Sequence, residues 1–260
     1  MLGRSKWVRG GLFALMLAVG CGSSSESTSG PVTAPAPTMA GVGPAAPTKP
    51  DAVLTPPDNT GWEQIRDENG IVVLRQEVEG SPLVAFRGIG VIDAPIARIG
   101  LVLIDVDHNR EWVDRMKEGR ALKHYSDTEH LTYSHIGAPP LVSDRDFVNH
   151  NKITFEAPDH IHIDIHSVED PLGPPTAGVR GKLLHSSFDL RSINDNKTRM
   201  IAEIHVDPMG SLPKFVVNMV QKDWAFKTIT GLRGQVTKGG IVEHAPEVRD
   251  LLGRNGFTVQ

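Results

Sequence analysis

From about residue 60 the chain alternates stretches of period two with stretches of helical period, and these predict its elements. "TGWEQIRDEN", residues 60–69, reads as a short helix, with Thr60 as cap and Trp62 and Ile65 on the buried side. "GIVVLRQEVEG" and "LVAFRGIGVID" read as strands separated by "EGSP". "PIARIGLVLIDVDHNREWV" has helical spacing, with Pro95 in the first turn, where its missing N–H costs nothing. "GRALKHYSDTEHLTYSHIG" reads as a hairpin turning at Ser126 and Asp127. Strands are expected over 145–155, 160–167, 179–193 and 197–206. Leu212, Phe215, Val216, Met219, Val220 and Phe226 recur at helical spacing and predict a long helix over 212–237, with one more turn or two past Pro246.

Strands that follow one another in sequence favour an antiparallel sheet. A long amphipathic helix must lay its apolar face on that sheet, so the class is α+β. A curved sheet gripping a helix leaves a hollow, and such hollows take apolar ligands. Met200, Ala202, Ile204 and Val206 alternate with Arg199, Glu203 and His205, so the first set faces inward, toward Phe215 and Met219 of the helix.

"DHIHIDIHSVED", residues 159–170, places His160, His162, Asp164 and His166 at every second position. A hairpin about Ala157-Pro158-Asp159 pairs Glu156 with His160, Thr154 with His162, Lys152 with Asp164 and His150 with His166. The other face then pairs Phe155 with Ile161, Ile153 with Ile163 and Asn151 with Ile165. This register sets opposite charges across from each other on one face and apolar side chains on the other. His-x-His on a strand chelates zinc in some enzymes, with a third ligand from a neighbouring strand. At roughly 3.3 Å per residue, however, His160 and His166 stand about 20 Å apart, too far for one ion to collect all three histidines. The histidines are therefore read as a solvated strand face and no metal is assigned.

Composition narrows the function classes. The chain has 260 residues and a formal net charge of -4, so no strong positive field points to nucleic acid. One cysteine, Cys21, excludes intramolecular disulfides. No apolar run reaches the roughly 20 residues of a spanning helix. Arg4, Lys6 and Arg9 precede the apolar "GLFALMLAVG", a secretory signal in outline. "LAVGC" resembles a bacterial lipobox, with Ala18 where that motif usually has leucine, and would make Cys21 the lipid-carrying first mature residue. A cleaved signal peptide or an incidental cysteine is the plainer alternative. Residues 22–58 are rich in Ser, Thr, Ala, Gly and Pro without an aromatic residue and read as a disordered tether. The expected organisation is thus a lipoprotein-type signal over 1–21, a tether over 22–58, a globular domain over 59–240 and a tail over 241–260. Gly22 after Cys21 resembles outer-membrane sorting, so the expected location is a bacterial envelope, lipid-anchored, facing the periplasm.

Four motifs in order carry a family resemblance over about residues 60–237. They are "FRGIGVIDAPIARIGLVLIDVDHNREWV", "LVSDRDFV", "VDPMGSLPKFVVNMV" and the helix end Leu232-Arg233. Together they resemble the START family, the steroidogenic acute regulatory protein-related lipid transfer domains. Asp144 replaces the family's proline, while Arg145, Asp146, Phe147 and Val148 fit. The resemblance implies a helix-grip fold, a curved antiparallel sheet wrapped around the long C-terminal helix, with one lipid, sterol or similar molecule in the internal cavity. Some members hold a buried acid–arginine pair there; that arginine aligns with Asn151, so the cavity is expected to be neutral at this depth, with Asn149 and Asn151 as hydrogen-bonding groups.

The expected cavity residues are Phe147, Asn149, Asn151, Ile153, Ile161, Ile163, Ile165, Met200, Ala202, Ile204, Phe215 and Met219. Arg145, between two aspartates, is read as fixing a loop rather than touching ligand. The leading function is binding and transfer of one hydrophobic molecule, without catalytic residues or cofactor, its partners being that ligand and a membrane reached through Cys21. A helix-grip enzyme, such as a cyclase or hydrolase, would need a cavity acid or base. A ligand sensor would need an exposed apolar patch near the cavity mouth.

Overall fold

Burial alternates residue by residue along the strand Lys197–Asp207, with Thr198, Met200, Ala202, Ile204 and Val206 on the inner side. That strand belongs to a ten-stranded sheet in the computed structural model, which describes residues 57–212, 214–241 and 245–259. The side chains of 214–216, 218 and 219 lie outside the described residues. So do the whole of 1–21 with Cys21, the tether up to residue 56, and the part of the tail over 242–244.

The strands in chain order are β1 (Glu63–Glu68), β2 (Ile71–Glu77), β3 (Val84–Ile92), β4 (Met116–His124), β5 (Glu129–Ile136), β6 (Arg145–Glu156), β7 (His160–Ser167), β8 (Val179–Arg180), β9 (Lys182–Asn194) and β10 (Lys197–Asp207). Across the curved sheet they run β1-β2-β3-β10-β9-β7-β6-β5-β4, all pairs along this path being antiparallel. The short β8 pairs with β6 in parallel. The register of β6 on β7 is the one that charge and hydrophobicity favour: Glu156 opposes His160, Lys152 opposes Asp164, and Ile153 opposes Ile163.

The helix expected over 60–69 is a strand instead. β1 folds back on β2 with Glu68 opposite Ile71. Asn69 and Gly70 turn between them at φ of 54° and 66°. Asn-Gly with both residues at positive φ makes the tight hairpin whose twist matches its strands, and here it overrides the helical spacing. The strand expected over 179–193 is broken at Gly181, where a Cβ would collide with the Phe147 ring.

Among the described residues, three helical segments cover the inner face. α1 (Ile96–Ile104) starts after Pro95 and continues into a 3-10 turn over Val106–Glu111. α2 (Lys214–Gln235) packs on β2, β3 and β10. It comes close because β3 presents Gly88 and Gly90: a Cβ on Gly88 would lie 3.0 Å from Ala225 Cβ and 3.2 Å from Ile229 Cδ1. Ile229 and Leu232 are fully buried there with Ile71, Val73 and Met200. Each such side chain contributes about 1.5–3 kcal/mol on burial. α3 (Pro246–Arg254), with proline in its first turn, packs on α1 and sets Val248 and Leu252 into the core.

Candidate functional site

The core does not fill the space under α2. Beside the packed region lies a cavity of about 740 Å³. Its floor is the inner face of β5, β6, β7, β9 and β10, with Thr132, Phe147, Ile153, Ile163, Phe188 and Ile204 among the side chains. Its roof is α2 up to Thr228, through Val217, Val220, Gln221, Trp224 and Thr228. The 3-10 turn and the loop after it close one side with Asn109, Trp112 and Val113. Pro139 and Val142, with Pro208 and Leu212, stand at the β5–β6 and β10–α2 loops. α3 adds Glu247, Val248, Leu251 and Arg254.

Small side chains explain part of the hollow. Ser186, 2% exposed, sits on the floor between Ile165 of β7 and Ile204 of β10. It leaves room that a large apolar residue would have filled.

Of the residues expected in the cavity, Phe147, Asn149, Asn151, Ile153, Ile163, Ile165 and Ile204 lie along its wall. Ile161, Met200 and Ala202 do not. They point to the inner side but into the solid core, where helices reach the sheet. Ile161 meets α1 at Gly100, and Met200 and Ala202 pair with Gly90 and Gly88 under α2. Facing inward is a strand property, whereas facing the void depends on which helix lies opposite. The side chains of Phe215 and Met219 lie outside the described residues.

The polar groups on the wall are mostly tied to the protein. Asn151 Nδ2 donates to Thr132 Oγ1 at 2.8 Å, and Asn149 Oδ1 accepts from Ser167 Oγ at 2.8 Å. At this depth the wall is neutral. Gln221 Nε2 donates to the Val206 carbonyl at 3.0 Å, while its Oε1 is buried without a protein partner. His130 Nδ1 is 2.6 Å from His124 Nδ1, and its Nε2 is also buried without a partner. Burial, then the neighbouring His124, holds His130 below the ordinary histidine value, so it is neutral at neutral pH.

The wall near the 3-10 turn and α3, where no site residue was expected, carries acidic groups. Asp105, Asp107 and Glu247 all lie along it. Burial raises the Asp105 carboxyl above the ordinary range, against the opposing pull of His108, whose Nδ1 is 2.7 Å away. Sequence spacing carried no sign of this, because the acids come from two elements far apart in the chain. Trp224 and Gln221 were within reach of it, as they follow Val217 at helical spacing.

Arg145 fixes loops, as expected, but not through its flanking aspartates. It donates to the carbonyls of Ser143, Pro208 and Met209, tying the start of β6 to the β10–α2 loop. Asp144 instead takes Lys117, His135 and the Ala138 N–H. Asp146 takes Arg180, Thr176, Tyr133 and the Ala177 N–H.

Comparison with known proteins places this geometry. A profile of the START domain matches residues 57–237. An uncharacterized protein of Pseudomonas aeruginosa is 29% identical over 179 residues, 68% of this chain and 87% of its own. Among solved structures, a STAR-related lipid transfer protein fragment from Xanthomonas axonopodis is 29% identical, covering 68% of this chain and 99% of that one at a TM-score of 0.62. Human STARD10 shares the fold at 22% identity and a TM-score of 0.68, covering 77% of this chain and 85% of its own.

Proposed function

The chain belongs to the START domain family, and from that premise we propose that it binds one hydrophobic molecule of the lipid class in the internal cavity and carries it between membranes or partners. The observation that carries this reading is the cavity itself. Its volume of about 740 Å³ falls within the range of small-molecule sites, and its wall is largely apolar with a few fixed polar groups. The similarity to the STAR-related lipid transfer protein of Xanthomonas supports the same reading.

The physical work is extraction. Apolar surface leaving a bilayer is compensated by burial in the cavity, at about 25 cal/mol per Å². Asn149, Asn151 and Gln221 stand where a ligand's polar end can be met, and Gln221 Oε1 is an acceptor without a protein partner. Entry requires the loop over 138–144 or the start of α2 to move. We read the domain as a carrier rather than an enzyme. Cys21, if lipidated, would anchor it to a bacterial envelope, with the tether over 22–58 setting its reach.

The test is native mass spectrometry of the purified protein with extraction and identification of what co-purifies, followed by transfer between liposomes. One stoichiometric hydrophobic ligand is expected. Ile165→Trp, which fills the floor beside Ser186, should lower occupancy while the fold is kept. A protein that arrives empty and takes up nothing from a membrane lipid extract would sink the reading.

A further inference from the structure

The strand face that carries the histidines is not uniformly wet. His160 is 8% exposed although it points away from the core. Across from it, β9 contributes Asp189, the direct register partner of His162. His160 Nε2 lies 2.6 Å from Asp189 Oδ2 and His162 Nδ1 lies 3.4 Å from the same oxygen. One donor atom from each of the three residues lies within 4.8 Å of the other two. A tetrahedral ion with bonds near 2.0–2.1 Å sets its ligand atoms about 3.3 Å apart, so these donors need only small rotations to enclose one.

The far nitrogens complete the pattern. His160 Nδ1 is 2.9 Å from Glu156 Oε2, and His162 Nε2 is 3.2 Å from Asp164 Oδ2. A histidine that ligates a metal through one nitrogen usually gives the other to a carboxylate, which fixes its ring and raises its basicity. The carboxylates of Glu156, Asp164 and Asp189 gather around the two imidazoles, with Arg191 Nε 3.5 Å from Asp189 Oδ1 and Lys152 across from Asp164, and they make this patch a favourable place for a cation. The donors stand on paired strands rather than on loops, which holds them in place.

We propose that His160, His162 and Asp189 bind one divalent transition-metal ion of the zinc class, with water in the fourth position. Two imidazoles and a carboxylate suit such an ion better than calcium or magnesium, which prefer oxygen ligands. The ion clips β7 to β9 on the outer face, directly behind Ile161 and Ile163, and Ile163 lines the cavity. The long separation of His160 from His166 does not bear on this site, because the third ligand comes from another strand.

The test is calorimetric titration of the chelator-stripped full chain with Zn(II), paired with the visible spectrum of its Co(II) form. One ion per chain and tetrahedral cobalt bands are expected. His162→Ala, at a half-buried position, should weaken binding at least about tenfold, and Glu156→Gln should weaken it about tenfold while leaving the stoichiometry at one. His166→Ala should leave affinity unchanged. Should Asp189→Asn fail to fold, the His162→Ala titration and the cobalt spectrum of the parent still decide. Absence of stoichiometric binding, or binding that survives His162→Ala and disappears in His124→Ala, overturns the assignment.

Discussion

At the scale of single residues, the segment "SDRDFV" shows what neighbours in sequence leave open. Two aspartates flank one arginine, yet none of the three pairs with another, because each finds a partner brought in by a different strand or loop. Asp146 is the most demanding of them. Its side chain is 0% exposed and accepts from Arg180 Nε at 3.0 Å, Thr176 Oγ1 at 2.9 Å and the Ala177 N–H at 3.0 Å. Burial raises its pKa, but these donors outweigh burial and hold it below the ordinary 3.8. The buried phenol of Tyr133, facing the same carboxylate, is pushed up to about 12. Asp146→Asn should cost roughly 2–3 kcal/mol, since the half-exposed Arg180 can still reach water. The sign with pH follows. A folded pKa below the unfolded one gives stability that is complete above about pH 5 and is lost as pH falls through the folded value. Urea midpoints over a pH series should therefore show a shallower acid limb in Asp146→Asn than in the parent. Identical limbs would assign the acid sensitivity to another carboxylate, Asp144 being the first to examine.

At the scale of elements, the hairpin of β6 and β7 was legible in the sequence because both of its faces specify the same register. A one-residue slip would have set Ile163 opposite Lys152, so charge and hydrophobicity agree. Residues 60–69 misled because a few apolar positions fit helix and strand alike, and the deciding feature was the turn at Asn69-Gly70. β3 carries the next constraint. Gly88 and Gly90 have no side chain to pack, and that absence is what lets α2 sit close. Gly88→Val should push against Ala225 and Ile229 and destabilise by about 1–3 kcal/mol. In urea unfolding the midpoint should fall with the slope unchanged. A neutral result would mean that α2 docks more loosely than its Ala225 contact implies.

At the scale of the whole molecule, a cavity of this size makes ligand and stability inseparable. A ligand that binds only the folded state, at a hundredfold excess over its Kd, adds about 2.7 kcal/mol. For a domain of this length that corresponds to a rise in Tm of roughly 5–10 °C. Thermal scans of the protein before and after delipidation should show that difference, and coincident scans would argue that the cavity holds nothing of consequence. α3 belongs to this scale too, since residues beyond 237, past the reach of the START profile, supply part of the wall. Sequence by itself determined most strands, their antiparallel order where hairpins connect them, the inward faces and the family. These are local periodicities and short-range turn preferences, and they survive in one dimension. Only the tertiary structure decided which inward residues meet a void and which meet a helix, so Ile163 lines the cavity while Ile161, two positions earlier, is solid core. Only tertiary structure brought Asp189 beside His160 and His162, and Asp105 and Glu247 to one wall. The physical reason is the same in each case. Strand pairing and helix docking join residues that are distant in the chain, and a period along one strand carries no record of what stands across from it.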